Sequence, residues 1–156
     1  MEKILIENQQ SRIAIETPLI QQLASAILSA LALKNPEVSI LLLDDQAIAG
    51  LNREYLNRSG PTDVISFPMH DEDFPDIQPQ LLGDVVISAE TAQRQARERG
   101  CSLNEELLFL LIHGVLHLRG YDHERSPEDE KVMQAKEQEL FSAVIANDAL
   151  RTLIDA

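Results

Sequence analysis

The segment Leu103–Leu118 constrains this chain more than any other stretch. It reads LNEELLFLLIHGVLHL, and Leu107, Leu108, Leu110, Leu111, Val115, Leu116 and Leu118 leave it apolar almost all round as a helix. Such a helix has no broad face to give to water, so it is expected to be buried with other elements built around it. Two histidines interrupt it, His113 and His117. Four residues apart, they leave the helix on one face, about 40° past a full turn and about 6 Å along the axis. Buried without partners, they would carry a heavy desolvation cost. Gly120 follows and can end the helix in a left-handed conformation that turns the chain back. That turn can bring His123 to the same point. Three of the four histidines therefore fall within eleven residues. Three converging neutral imidazoles make a metal site, with one zinc ion as the default and the fourth tetrahedral position left for water.

The remaining elements follow from periodicity and punctuation. Lys3 to Glu7 alternates as a strand does. Thr17-Pro18 opens a helix, with Thr17 as cap, and the stripe Ile20, Leu23, Ala24, Ile27, Leu28, Leu31 carries it to about Leu33. Asn35-Pro36 stops it. Glu37 to Leu43 reads as a second strand whose run Ile40–Leu43 implies burial. Asp44 or Asp45 caps a second helix to about Asn57, with Ile48, Leu51, Tyr55 and Leu56 inward. Asp63–Pro68 and Leu82–Ser88 are strands expected to pair antiparallel. Between them Met69–Gln80, rich in acids and holding His70, is expected to be an exposed loop. Ser88 caps a polar helix that Gly100 ends. Ser102-Leu-Asn-Glu105 has the form of a capping box for the apolar helix. Ser126-Pro127 opens a last helix, expected to fray towards Asp155. The order β-α-β-α-β-β-α-α-α implies an α+β fold: a small mixed sheet of about four strands packed with about five helices, bearing a zincin-like metal site.

A chain of 156 residues is expected to form one domain, 1–156. One cysteine, Cys101, rules out an internal disulfide and suggests a reducing, cytoplasmic setting. The first residues lack a signal peptide's basic start, and no apolar run is long enough to cross a membrane. The 13 basic and 26 acidic residues give a net charge of −13, which on its own argues against nucleic acid. The distribution qualifies this, because every basic residue from Asn35 to Glu130 is arginine, the residue suited to bidentate phosphate contact.

The spacing His-x-x-x-His-x-x-Gly-x-x-His resembles that of the metzincin proteases. Their pattern has a glutamate directly after the first histidine, as general base. Here that position is Gly114, which cannot accept a proton, so proteolysis is not expected. Glu90, Glu105, Glu106, Asp122 or Glu124 could supply a base from elsewhere. Asp122 either orients an imidazole through its N–H or is an exposed turn residue. Met133 is expected in the core, and Cys101 as a semi-buried thiol and not a ligand.

Three ordered blocks carry a closer resemblance. These are His113-Gly-Val-Leu-His-Leu-Arg-Gly-Tyr-Asp-His123, then Leu51-Asn52 with Tyr55 and Pro61-Thr-Asp-Val-Ile-Ser-Phe-Pro68, then Leu82-Gly-Asp-Val-Val-Ile-Ser88. Together they resemble the YbeY family, single-domain bacterial metalloproteins described as rRNA-maturation endoribonucleases. The resemblance implies one Zn²⁺ per chain on His113, His117 and His123, beside the sheet. It also implies hydrolysis of single-stranded RNA in 16S rRNA 3′-end maturation and ribosome quality control, with rRNA and the small ribosomal subunit or its proteins as partners. No membrane or DNA partner is expected. The chain departs from the pattern at Leu56, where family members carry an arginine counted among the residues needed for cleavage; Arg58 could reach the same space.

In the expected mechanism zinc lowers the pKa of its water from about 15.7 towards about 7, with Arg58 or Arg119 beside the phosphoryl oxygens. His113 and Arg58 are the candidate catalytic residues. Two rival readings remain: a non-catalytic, zinc-stabilised ribosome assembly factor, and a metal-dependent hydrolase of another substrate.

Overall fold

The apolar helix Leu103–Leu118 is almost wholly buried in the structure, a computed structural model that describes residues 1–69, 80–122 and 124–155. Ten elements are present among these residues: β1 (Lys3–Asn8), α1 (Thr17–Ala30), β2 (Glu37–Leu43), α2 (Asp45–Leu56), β3 (Val64–Pro68), β4 (Leu81–Ser88), α3 (Ala89–Arg99), α4 (Leu103–Leu118), α5 (Pro127–Ile145) and α6 (Asp148–Asp155). The acidic stretch expected as a loop, with His70, covers residues 70–79 and lies outside the described residues.

The strands form one mixed sheet in the order β1-β2-β4-β3. β1 and β2 run parallel, as do β2 and β4, while β3 and β4 pair antiparallel as expected. A parallel pair needs a crossover, and α1 supplies it between β1 and β2. Alternation along the strands then divides the side chains between two faces. Val38, Ile40, Leu42, Leu82, Val85 and Ile87 join the main core with α1, α4 and α5. Leu43, Ile65 and Val86 form a smaller cluster with Ile48 of α2 on the opposite face. The run Ile40–Leu43 therefore serves both faces. Leu41 is only half-buried, because α2 covers that side incompletely.

Four expectations are corrected. α1 is capped at Glu16, with Thr17 and Pro18 already inside it. It ends at Ala30 instead of about Leu33, because Ala32 takes a left-handed φ of 55°. Tyr55 and Leu56 are 60% and 43% exposed and not inward, at the end of α2; the Tyr55 ring meets Phe67 edge-on, with centroids 5.5 Å apart. The C-terminal residues do not fray from α5 but form a sixth helix. Asn147 starts it, its Oδ1 accepting from the Leu150 N–H at 3.1 Å. α6 then docks on α4: Ile154 is buried, the Ser102 hydroxyl donates to the Ile154 carbonyl, and Asn104 Nδ2 donates to the Leu153 carbonyl at 2.8 Å. Among the described residues no single helix is long and apolar enough to cross a membrane.

Candidate metal centre

Helix α4 positions both of its histidines, and its ends show why it forms where it does. Gly100, in the left-handed region at φ 71°, ends α3. Ser102 then caps α4, its Oγ accepting from the Glu105 N–H at 3.0 Å. Midway, Ser66 Oγ of β3 donates to the Gly114 carbonyl at 2.8 Å and ties the helix to the sheet edge. Past Leu118, Gly120 adopts φ 92° and the Tyr121 N–H reaches back to the Leu116 carbonyl at 3.0 Å. The chain therefore reverses at the glycine that the sequence singles out.

The two imidazoles meet. Nε2 of His113 and Nε2 of His117 are 3.0 Å apart, with ring centroids at 4.6 Å and planes inclined by 72°. Both side chains are half-buried. At that separation one ion with zinc–nitrogen bonds of about 2.0–2.1 Å can touch both nitrogens, and neutral imidazole is a donor that suits zinc. The third expected ligand, His123, lies outside the described residues. Among the described residues no group of three or more histidine, cysteine or acidic side chains is arranged to hold a metal ion.

The neighbours of position 123 are described. The Glu124 N–H donates to Asp122 Oδ1 at 2.8 Å, and Arg125 lies 3.6 Å from Asp122 while donating to the Gly120 carbonyl at 3.0 Å. Asp122 thus takes part in the turn that leads from α4 towards α5. Arg58, in the loop between α2 and β3, brings its guanidinium within 3.7 Å of Glu124 Oε2. Residues 66 positions apart in sequence therefore meet at the residue following His123. Leu56 is on the last turn of α2 and is exposed.

The carboxylates singled out as possible bases have other partners. Glu90 accepts from the Asp45 N–H at 2.9 Å and links α3 to α2. Glu106 is 1% exposed and lies 3.4 Å from Arg99. It sits about 10 Å along the helix axis from His113. Its burial pushes its carboxyl above the usual range, against the pull of the Arg99 cation. Burial and the neighbouring Glu105 and Glu106 also raise the half-buried Cys101 thiol, which suits a quiet structural group.

The carboxylate that faces an imidazole was missed from sequence: Glu137 of α5, whose Oε2 lies 3.2 Å from His113 Nδ1. A signal was present. Met133, Leu140 and Val144 form the buried stripe of α5, and Glu137 falls on that stripe at helical spacing. An acid on an apolar stripe calls for a partner.

Comparison with known proteins agrees with this architecture. A family model described as Endoribonuclease YbeY matches residues 5–145. A protein of Geobacter metallireducens named Endoribonuclease YbeY is 48% identical over 149 residues, covering 95% of this chain and 99% of the relative. One of Aquifex aeolicus with the same name is 50% identical over 123 residues, covering 79% of this chain and 80% of the relative. A Thermotoga maritima protein solved in solution superimposes with a TM-score of 0.63 at 28% identity, covering 92% of this chain and 88% of that one. With the family model spanning most of the sequence and these relatives matched along most of their own length, this chain belongs to the endoribonuclease YbeY family.

Proposed function

We propose that this chain is a zinc-dependent, single-strand-specific endoribonuclease acting in 16S rRNA 3′-end maturation and ribosome quality control. The observation that carries the reading is the meeting of the His113 and His117 Nε2 atoms at 3.0 Å, in a chain of an endoribonuclease family. His113, His117 and His123 would hold one zinc ion. Bound there, the ion supplies Lewis acidity to a phosphoryl oxygen and acidity to water.

The chain's own residues do the rest. Arg58 reaches the segment that contains His123, and its guanidinium offers two parallel donors to a scissile phosphate. Arg119, exposed just past the end of α4, is a second cation near the turn. Gly114 provides no base, so the proton of the attacking water or ribose 2′-hydroxyl has to pass to another group.

The charge of −13 restricts how RNA arrives. A local arginine contact works against repulsion from the rest of the surface, which makes binding to free RNA weak and salt-sensitive. This supports substrate presentation by the small ribosomal subunit or its proteins, in the cytoplasm. The test compares purified protein and His113→Ala on single-stranded RNA, with and without a chelator. The expected result is cleavage by the wild type alone, abolished by chelation. Equal cleavage by the variant would sink the reading. Zinc-stabilised folding with no cleavage on ribosomal substrates would point to an assembly factor instead.

A further inference from the structure

We propose that Glu137 is a positioning residue that sets the tautomer of His113 and thereby turns its Nε2 lone pair towards His117, a role that rests on the metal reading above. An ionised carboxylate only accepts hydrogen bonds, so a contact of 3.2 Å between Glu137 Oε2 and His113 Nδ1 requires the proton on Nδ1. In a neutral imidazole this leaves Nε2 unprotonated. That nitrogen is the one 3.0 Å from His117 Nε2. The residue therefore selects, of two tautomers, the one that can ligate. A carboxylate behind a ligating imidazole also raises its basicity and holds the ring plane.

Packing holds Glu137 in this role. Met133 is 0% exposed and Leu140 1% exposed; they flank Glu137 on the same stripe of α5 and anchor it in the main core beside α4. The side chains of Glu137 and His113 are 21% and 28% exposed, so water screens the contact only in part. The adjacent cation, Lys136, is directed to Glu139 at 3.1 Å and does not compete. Among the described residues Glu137 makes no ion pair with lysine or arginine.

The test measures zinc affinity by competition with a chromophoric chelator. It also records the histidine tautomers by long-range ¹H–¹⁵N spectra of the metal-free, ¹⁵N-histidine-labelled protein, with His113 assigned by its loss in His113→Ala. Glu137→Ala is expected to weaken zinc binding about 10- to 100-fold. It should also shift the His113 signal from the Nδ1–H form towards a mixture. Glu137→Gln keeps an accepting oxygen, so it should retain the Nδ1–H form and lose less affinity. Glu139→Ala, an exposed acid on the same helix, should change neither. If Glu137→Ala fails to fold, Glu137→Gln decides: unchanged zinc affinity overturns the proposal. Wild-type affinity and tautomer in folded Glu137→Ala, with zinc lost in His113→Ala, overturns this inference and leaves the metal reading standing. Wild-type zinc affinity in His113→Ala overturns both.

Discussion

Gly114 lies so close to Val85 that a Cβ built on it would stand 2.6 Å from Val85 Cγ1, with Val64 Cγ2 at 3.3 Å. This is the position at which the metzincin spacing places its catalytic glutamate. In this fold the position faces the sheet, so even a methyl group there forces Val85 to shift. The glycine that seemed only to lack a base is what lets α4 seat on β3 and β4. Gly114→Ala sets two effects against each other. Alanine improves helix propensity by about 1 kcal/mol. Overpacking against a buried, stiff valine costs about 1–3 kcal/mol. Val85 is 0% exposed in β4, between β2 and β3, and has nowhere to go, so the cost prevails. Urea unfolding of Gly114→Ala is expected to show a net loss of about 1–2 kcal/mol. A stabilised variant would mean that the helix stands further from the sheet.

Much of this arrangement is legible in the sequence because it is local. The α4 cap at Ser102, the left-handed Gly120 and the shared face of His113 and His117 depend on residues within a few turns of one another. Glu137 was not visible as a partner, because which helix α5 packs against is decided by the whole core. The open face beside Tyr55 escaped for a similar reason. The periodicity of α2 marks an apolar side, but not that the sheet beneath it extends beyond the helix. Arg58 falls between these cases: its charge suggested a role, whereas its meeting with Glu124 required the turn after α4 to be built.

Asp45 locks α2 to α3, accepting from Ser88 Oγ at 2.6 Å, Thr91 Oγ1 at 2.6 Å and Arg94 at 2.7 Å. Burial pushes its carboxyl up, but these three hydrogen bonds and the Arg94 charge outweigh it and hold the carboxyl below its ordinary value. A depressed pKa stabilises the fold above the unfolded value of about 3.9 and ceases to do so as the pH falls through the folded one. Asp45→Asn is expected to cost roughly 1–3 kcal/mol at pH 7. The gap between wild type and variant should narrow in acid below about pH 4. Chemical denaturation across that range reads it, and a gap independent of pH would contradict the assignment.

Glu106 has the opposite sign. Its burial raises the carboxyl, the Arg99 cation only partly offsets this, and its folded value stays above the ordinary one. The fold therefore binds this proton more tightly than the unfolded chain does. Stability is highest below the unfolded pKa and falls as the pH rises through the raised folded value. Glu106→Gln keeps the shape without the charge. The difference in melting temperature, variant minus wild type, should grow as the pH rises from about 4.3 towards neutrality. A difference that stays flat over that window would show that the buried carboxyl is not the cause.

Zinc should behave as a ligand of the folded state alone. At a free concentration one hundred times its dissociation constant, such a ligand stabilises by about 2.7 kcal/mol. For a chain of this size that raises the melting temperature by about 5–10 °C. The wild type should show this rise and lose it with a chelator. His117→Ala should show neither, since it removes one of the two Nε2 atoms that face each other. An undiminished rise in His117→Ala would place the ion elsewhere.

Two cations, one present at Arg58 and one missing at Leu56, can be told apart by substitution. Arg58 and Glu124 are 63% and 60% exposed, so their contact at 3.7 Å contributes under about 1 kcal/mol to folding. Arg58→Ala should therefore melt within a few degrees of wild type. If the guanidinium contacts the phosphate as the charge develops, the variant should nonetheless cleave single-stranded RNA about 100- to 1000-fold more slowly. Leu56 is 43% exposed on the final turn of α2, where a longer polar side chain meets no packed neighbour that must yield. Leu56→Arg should leave stability unchanged, because arginine is a good helix former. It should restore cleavage to the Arg58→Ala background, because it returns a guanidinium two residues away in the chain. Cleavage rates of the two single variants and the double variant, measured at one salt concentration, distinguish the cases. A double variant as slow as Arg58→Ala would show that the two positions do not serve the same phosphate.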